Sequence, residues 1–313
     1  MNKLLSVCIV NHNGEELLNR YLPSVVDSLN FAEEIEWELI FCDNGSVDDS
    51  VSVVERLCPE AKIIRFPENK GFSESNNAAV RSASGAYVLL LNNDIKPRQD
   101  FLKPLLDHLN DPEVFAVAPR IYRFNEELDD GVRNAEFRTG LLTPVLDIRQ
   151  SLKNEPVLTT FFCGGAVLFR KSIFFELGGF DELFNPYSWE DLDLAYRAWK
   201  HGFSIKYVPQ SHVYHDRETT AQKIFSLNQR KRIVWRNRFL FMWKNLAFFP
   251  HLFEHIIFLP SKLVKFLFTG RAMYVAGFLW AALCIPRVIW RRLQEHRSFK
   301  RSDSEIFEMM RCE

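Results

Sequence analysis

The triplet Asn92, Asn93 and Asp94 follows the apolar run Tyr87 to Leu91 without a break. Five apolar residues in a row read as a strand buried on both faces, the kind found inside a parallel sheet. The carboxyl ends of such strands open onto the crevice where ligands sit, so Asp94 is a candidate ligand-facing acid. Alone, it reads equally well as a turn or cap residue ahead of Pro97. Three further strand-like runs end the same way: "LLSVCIV" delivers Asn11, His12 and Asn13, and "WELIFC" delivers Asp43. "AKIIRF" leads into "PENKGFSESNN", where Asn69 and Asn76 flank Gly71, which permits a tight turn, and Ser73, which can cap a helix. Four polar tips in sheet order point at one crevice. Later, "WEDLDL" opens a helical pattern with Glu190, Asp191 and Asp193, acids that could also simply complement the helix dipole. "PQSHVYHDRE" adds His212 and His215 at the end of a strand-like run.

These residues need elements to hold them. Up to about residue 120, short apolar runs alternate with helical patterns. "EELLNRYLPSVVDSL" places Leu18, Tyr21, Leu22, Val25, Val26 and Leu29 on one helical face, and Ser46 with Asp49 has capping-box spacing for the next helix. Strands alternating with helices specify a mostly parallel sheet flanked by helices, an α/β fold. Residues 121–160 are weakly patterned, and "FNEELDDGVRN" reads as a loop placed to cover the site. Order returns with "VLTTFFCGGAVLFRK", the helix "SWEDLDLAYRAWKHG" and the strand "FSIKYVP".

Charge divides the chain. Residues 1–222 hold 22 Lys+Arg against 34 Asp+Glu, residues 223–301 hold 16 against 2, and residues 302–313 turn acidic again. We therefore expect a catalytic body over 1–222 (nucleotide-binding to about 120, acceptor side beyond), a basic aromatic helical extension over 223–301 and a polar tail. The uncharged run Ala272 to Pro286 is shorter than the ~20 residues of a spanning helix. Arg271, Arg287, Arg291 and Arg292 flank it, and Lys262 and Lys265 punctuate the segment before it, a pattern of helices lying in a membrane interface. Helices packed on the core or in an oligomer, and a single tilted span, are the competing readings. Deletion from about Leu246 would, on the interfacial reading, leave a soluble nucleotide-binding protein. Six cysteines (Cys8, Cys42, Cys58, Cys163, Cys284, Cys312) without CxxC spacing fit a reducing compartment. The apolar N-terminal run ends in Asn11, His12 and Asn13 rather than a cleavage site, so it reads as the first strand and the protein as cytoplasmic.

Taken together, "VCIVNHNG", "FCDNGSVDDS", "ENKGFSESNN", "YVLLLNND", "FFCGGAVLFRK", "LGGFDELF" and "WEDLDLAYRAWKHGF" resemble, in family order over about residues 4–240, the family 2 glycosyltransferases of GT-A fold. The likeness is especially to the bacterial rhamnosyltransferase-like members that build surface polysaccharides. The resemblance implies an inverting enzyme that moves a sugar from a nucleotide diphosphate sugar, with dTDP-rhamnose one candidate, to a hydroxyl of a lipid-linked glycan. It implies Asp43 on the base or ribose, with Asn11, Asn13, Asn69, Gly71, Asn76 and Asn93 around the nucleotide. Asp191 becomes the general base, with Gly165, Trp189 and Glu190 on the acceptor side; Trp189 could stack on a sugar or pack. Asn92 and Asp94 fall on the "DxD" metal position, with Asn for the first acid, and His215 matches the third ligand better than His212, which implies Mn²⁺ or Mg²⁺. Expected partners are the donor, a glycan acceptor and the inner face of the bacterial cell membrane, without nucleic acid and with oligomerisation open. A non-catalytic glycan-binding or scaffolding subunit of the same fold is the alternative. A sugar nucleotidyltransferase is disfavoured because the turn "NHNGEE" has one Gly and two acids where a triphosphate needs a basic Gly-rich loop.

Overall fold

The computed structural model describes residues 4–310 except 34, 218, 219 and 270; Cys312 lies outside them. Strands β1 (Leu5–Asn11), β2 (Trp37–Asn44), β3 (Lys62–Phe66) and β4 (Tyr87–Leu91) come from the four apolar runs. Helices α1 (Glu15–Phe31), α2 (Ser50–Leu57) and α3 (Phe72–Ser82) connect them. These four strands pair in parallel in the order β3-β2-β1-β4. Because side chains alternate across a strand, Val88 and Leu90 bury on one face of the sheet, while Leu89 and Leu91 bury on the other.

The sheet continues beyond β4 as a mixed half. After the three-residue β5 (Ile95–Pro97) and α4 (Leu102–Asp107) come β6 (Val114–Tyr122) and β7 (Leu128–Asp130). A two-stranded sheet of β8 (Arg133–Arg138) and β9 (Leu141–Leu146) follows, then α5 (Ile148–Ser151) and β10 (Val157–Leu158). The weakly patterned residues 121–160 are thus largely strands and a short helix, and "FNEELDDGVRN", expected as a loop, contains β7 and the start of β8. β11 (Ala166–Arg170), α6 (Lys171–Glu176), α7 (Glu190–Lys200) and β12 (Ser204–His215) complete the body. β11 runs antiparallel between β4 and β6, and β12 runs parallel to β6. The far end of β12 then pairs antiparallel with β5, setting His215 opposite Ile95.

The basic extension folds as α8 (Thr220–Ile224), α9 (Leu227–Asn245), α10 (Phe249–Phe268), α11 (Ala272–Leu283) and α12 (Ile285–Glu295), and the tail as α13 (Asp303–Met309). Its helix α9 is continuous with the body: Phe239, Leu240, Phe241 and Met242 share a core with α7 and the sheet. Among the described residues no single helix is long and apolar enough to cross a membrane; α11 and α12 pass only as a pair bent by 64°.

Candidate functional site

Two corners of a cleft form where the sheet changes direction. The first corner stands at the tip of β4. Pairing of β5 with β12 brings His215 back beside Asp94, whose carbonyl accepts the Asp216 N–H at 3.1 Å. His215 Nε2 lies 3.2 Å from Asp94 Oδ2, and His215 Nδ1 lies 3.2 Å from Asp129 Oδ2. Asp129 also accepts from Arg217 Nε at 2.7 Å and from Arg123 Nε at 3.1 Å. Burial pulls the His215 pKa down, but the Asp129 and Asp94 carboxylates outweigh it and raise it to about 9. Burial likewise opposes ionisation of Asp129, yet its three cationic partners hold it below the usual carboxylate range.

This corner fits a divalent ion. Asp94 Oδ1 is buried without a hydrogen-bond partner beside the Asp94–His215 contact, and the positive charge drawn between two carboxylates is what a cation would supply. A carboxylate behind the ligating imidazole fixes its orientation, a usual outer-shell arrangement. Among the described residues no set of three His, Cys, Asp or Glu side chains forms a ligand cage, so the remaining positions would fall to donor phosphate oxygens. The carboxamide of Asn92 lies against Gly165, so Asn92 serves the turn that joins the two corners. His212 sits apart, against Arg98 and Tyr122.

The second corner opens α7. Trp189 takes a left-handed φ of 75° as the residue before the helix, and its ring packs in the core against Phe241 at 5.2 Å. It is a packing residue, without a face for a sugar. Of the three acids, Glu190 and Asp193 are buried and Asp191 is partly open. Burial, then the neighbouring Asp191 charge, push the Glu190 pKa well above its ordinary value. Asp193 anchors the helix: it meets Arg197 Nε at 2.8 Å, Lys244 Nζ at 2.9 Å and Asn245 Nδ2 at 2.8 Å. Asp191 Oδ2 accepts the Gly164 N–H at 3.0 Å. Burial raises the Asp191 pKa, and the Gly164 N–H and Arg133 pull against it.

The Gly164–Gly165 turn couples the corners. Gly165 O accepts the Asn92 N–H at 2.8 Å while Gly164 N–H serves Asp191. A Cβ on Gly165 would come within 2.9 Å of Asn92 Nδ2, and one on Gly164 within 3.1 Å of Asp191 Cβ. A larger residue at either position would have to displace Asp191 or the Asn92 carboxamide.

The nucleotide-side residues divide into ties and a free acceptor. Asn93 Nδ2 donates to Asn11 Oδ1 at 2.5 Å, joining the tips of β4 and β1. Asn13 Oδ1 accepts the Val47 N–H, and Ser46 Oγ accepts from Asn13 N and Asn11 Nδ2. Asn69 Oδ1 accepts from Gly71 N and Asn44 Nδ2, while Asn76 donates to Phe72 O. Gly71 has φ 83°, and Asn185 stands 2.8 Å from where its Cβ would be. Ser46 and Ser73 are not caps: α2 starts after Asp49, and Ser73 Oγ donates to Asp181 O. Asp43 differs from the asparagines in keeping Oδ1 buried and unpartnered.

Several contributors were invisible in the sequence. Asp129, Asp130 and Arg133 come from the segment expected to be a loop, with Arg133 Nε on Asp130 Oδ1 at 2.7 Å. Arg236 and Asn237 of α9 donate to carbonyls of Leu183, Phe184, Asn185, Tyr187 and Ser188, cradling the approach to Asp191. A cavity of about 460 Å³, lined by Phe31, Leu102, Pro104 and Gln210 among others, lies away from both corners.

The family described as glycosyl transferase family 2 matches residues 6–178, more than half of the 313-residue chain. The chain therefore belongs to that family. The N-terminal domain of galactosyltransferase also matches, over residues 151–219. A Mycobacterium tuberculosis pre-mycofactocin glycosyltransferase is 32% identical over 187 residues, covering 58% of this chain and 38% of its own length. Human polypeptide N-acetylgalactosaminyltransferase 14 is 27% identical over 223 residues, 67% of this chain and 40% of its own. The chain thus spans well under half of these relatives. Among solved structures, GalNAc-T7 with UDP, GalNAc and Mn²⁺ superposes with a TM-score of 0.61 at 20% identity, over 78% of this chain and 48% of that one. The Pyrobaculum calidifontis mannosyltransferase PcManGT, in complex with GDP-Man and Mn²⁺, gives 0.58 at 17% identity, over 95% and 85%. The fold is GT-A, with its mixed sheet flanked by helices and a helical C-terminal region.

Proposed function

We propose that this protein transfers a glycosyl group, with inversion, from a nucleotide diphosphate sugar to an acceptor hydroxyl, using Mn²⁺ or Mg²⁺. The observation that carries the reading is the Gly164–Gly165 turn, which binds the Asp94 strand tip and the Asp191 carboxylate into one cleft. Asp43, with its free oxygen, accepts from a ring N–H or ribose hydroxyl of the nucleotide. Asp191 takes the acceptor proton as the hydroxyl oxygen bonds to the anomeric carbon. The bond from that carbon to the phosphate oxygen breaks, and its electron pair leaves with the nucleoside diphosphate. Burial, by raising the Asp191 pKa, makes it a stronger base, while the Gly164 N–H and Arg133 pull in the opposite direction. A divalent ion held by Asp94 and His215 would offset charge growing on the departing diphosphate.

The relatives solved with UDP and GDP-Man support a hexosyl donor, and the rhamnosyltransferase-like motifs keep dTDP-rhamnose among the candidates. The basic, aromatic C-terminal region supports a lipid-linked glycan acceptor at the inner face of a bacterial membrane. A thermal-shift panel of UDP, dTDP and GDP sugars, with and without Mn²⁺, tests the reading, since only a binder stabilises the fold by mass action. One donor class should raise Tm, and more so with Mn²⁺. No shift with any donor would refute it and favour a non-catalytic subunit.

A further inference from the structure

Helices α10, α11 and α12 present large apolar side chains to solvent. Phe268 is 85% exposed and Leu283 82%, and Phe253, Ile256, Trp290 and Leu293 are each more than half exposed. These are not remnants of a loose core, because the inner sides of the same helices are tightly seated. Tyr274 of α11 lies 4.3 Å from the Trp235 ring of α9 and 4.1 Å from the Phe266 ring of α10. A Cβ on Gly277 would fall 2.7 Å from Trp235 Cβ, so α11 lies directly on α9.

The charges around this face have one sign. From Ala247 to Leu293 the only acid is Glu254, and it is occupied by the Gly140 N–H at 2.8 Å. Lys265, Arg271 and Arg287 are exposed, and no ion pair is made by them among the described residues. A water-facing surface normally mixes both signs, and an interface between copies would bring these cations against their own kind. An apolar face rimmed by unpaired cations is complementary to anionic lipid headgroups above acyl chains. The 64° bend between α11 and α12 favours helices lying along such a surface over a single span.

We infer that the outer face of α10–α12 docks on an anionic phospholipid bilayer surface, with the apolar side chains at the headgroup boundary. The inference specifies the membrane part of the reading above and makes no use of its transfer chemistry. The docked face is tied to the cleft. α9, beneath it, holds Asp193 of α7 through Lys244 and Asn245, and Arg292 of α12 donates to Leu246 O at 2.6 Å. The bilayer would therefore hold the Asp191 cleft at a fixed attitude to the lipid surface.

Co-sedimentation of the full chain with vesicles of phosphatidylcholine, alone or mixed with phosphatidylglycerol, tests this. The protein should sediment with the mixed vesicles, more weakly at high salt, and little with phosphatidylcholine alone. The triple substitution Phe268→Glu, Leu283→Glu, Trp290→Glu should weaken vesicle binding by about tenfold or more. It should leave the thermal midpoint in place, because all three side chains project outward. Ile148→Glu, on an exposed apolar residue outside this face, should bind as wild type. Failure to sediment with either vesicle would refute both membrane location and this face. Binding that the triple substitution leaves unchanged would refute this face alone. A wild-type dimer in sedimentation velocity that the triple substitution turns into monomer would assign the face to self-association and overturn the inference.

Discussion

His215 is held between two carboxylates with different tasks. Asp94 shares the position a metal would take, while Asp129, buried under Arg123, Arg217 and the imidazole itself, fixes the ring. Asp129→Asn should therefore weaken Mn²⁺ binding about 10- to 100-fold while leaving metal-free nucleotide binding in place, measured by Mn²⁺ titration of the thermal midpoint. The places of Asp94, Asp191 and His215 in the fold were legible because each ends or begins an element with strong periodicity and falls in a recognisable order. Asp129, Asp130 and Arg133 were not, because an acidic run beside a three-residue strand has the composition of a solvated loop. The asparagines were legible as strand-tip residues, but their use on one another was not: a carboxamide that binds a ligand and one that binds a neighbour look the same in sequence. Trp189 likewise showed no sign of which way its ring turns until Phe241, fifty residues on, was placed against it.

At the scale of elements, α7, the helix that carries Asp191, is fixed from below by buried charge. Asp303 at the start of α13 accepts from Tyr196 Oη at 2.5 Å and from the Ala247 and Phe248 N–H groups at 2.6 Å each, and pairs with Lys200. Asp303→Ala would strand the buried Lys200 ammonium, for which a loss of about 3–5 kcal/mol is expected in denaturant unfolding. The same contact argues against the expectation that deletion from about Leu246 leaves a more soluble protein that still binds nucleotide. Such a cut removes Asp303, Arg292 and Glu295, and exposes the partners of all three. We expect the truncated chain to aggregate, with loss of the cooperative thermal transition seen for the full chain. The sequence pointed to basic, apolar helices here. It could not show that Lys244, Arg236 and Asn237 face inward, because a buried cation is recognised only by its distant acceptors.

Over the whole molecule, acid stability should report the joint between body and extension. Burial opposes ionisation of Asp181, but Lys244 and Arg291 outweigh it and lower its pKa to about 2. A carboxyl lowered on folding contributes stability above its unfolded value near 3.8, and loses that contribution as pH falls from about 4 towards 2. Lys244→Met, which removes the cation, should flatten the pH dependence of unfolding free energy in that window. An unchanged slope would mean that the cluster does not join the two parts. The parallel half of the sheet was readable as strands alternating with helices. The mixed half was not, since β11 runs antiparallel between β4 and β6, and the end of β12 pairs with β5, by long-range contacts that no local pattern records.

The most direct test compares Asp191→Asn and Asp94→Asn in two assays on the same preparations: Mn²⁺-dependent binding of the stabilising nucleotide sugar, and its turnover. Both substitutions should abolish turnover, by a factor of about 10² to 10⁴ for the base. Only Asp94→Asn should also lose the Mn²⁺-dependent part of binding. Wild-type turnover in Asp191→Asn, or Mn²⁺-dependent binding indifferent to Asp94→Asn, would contradict a single cleft with metal and base at its two corners.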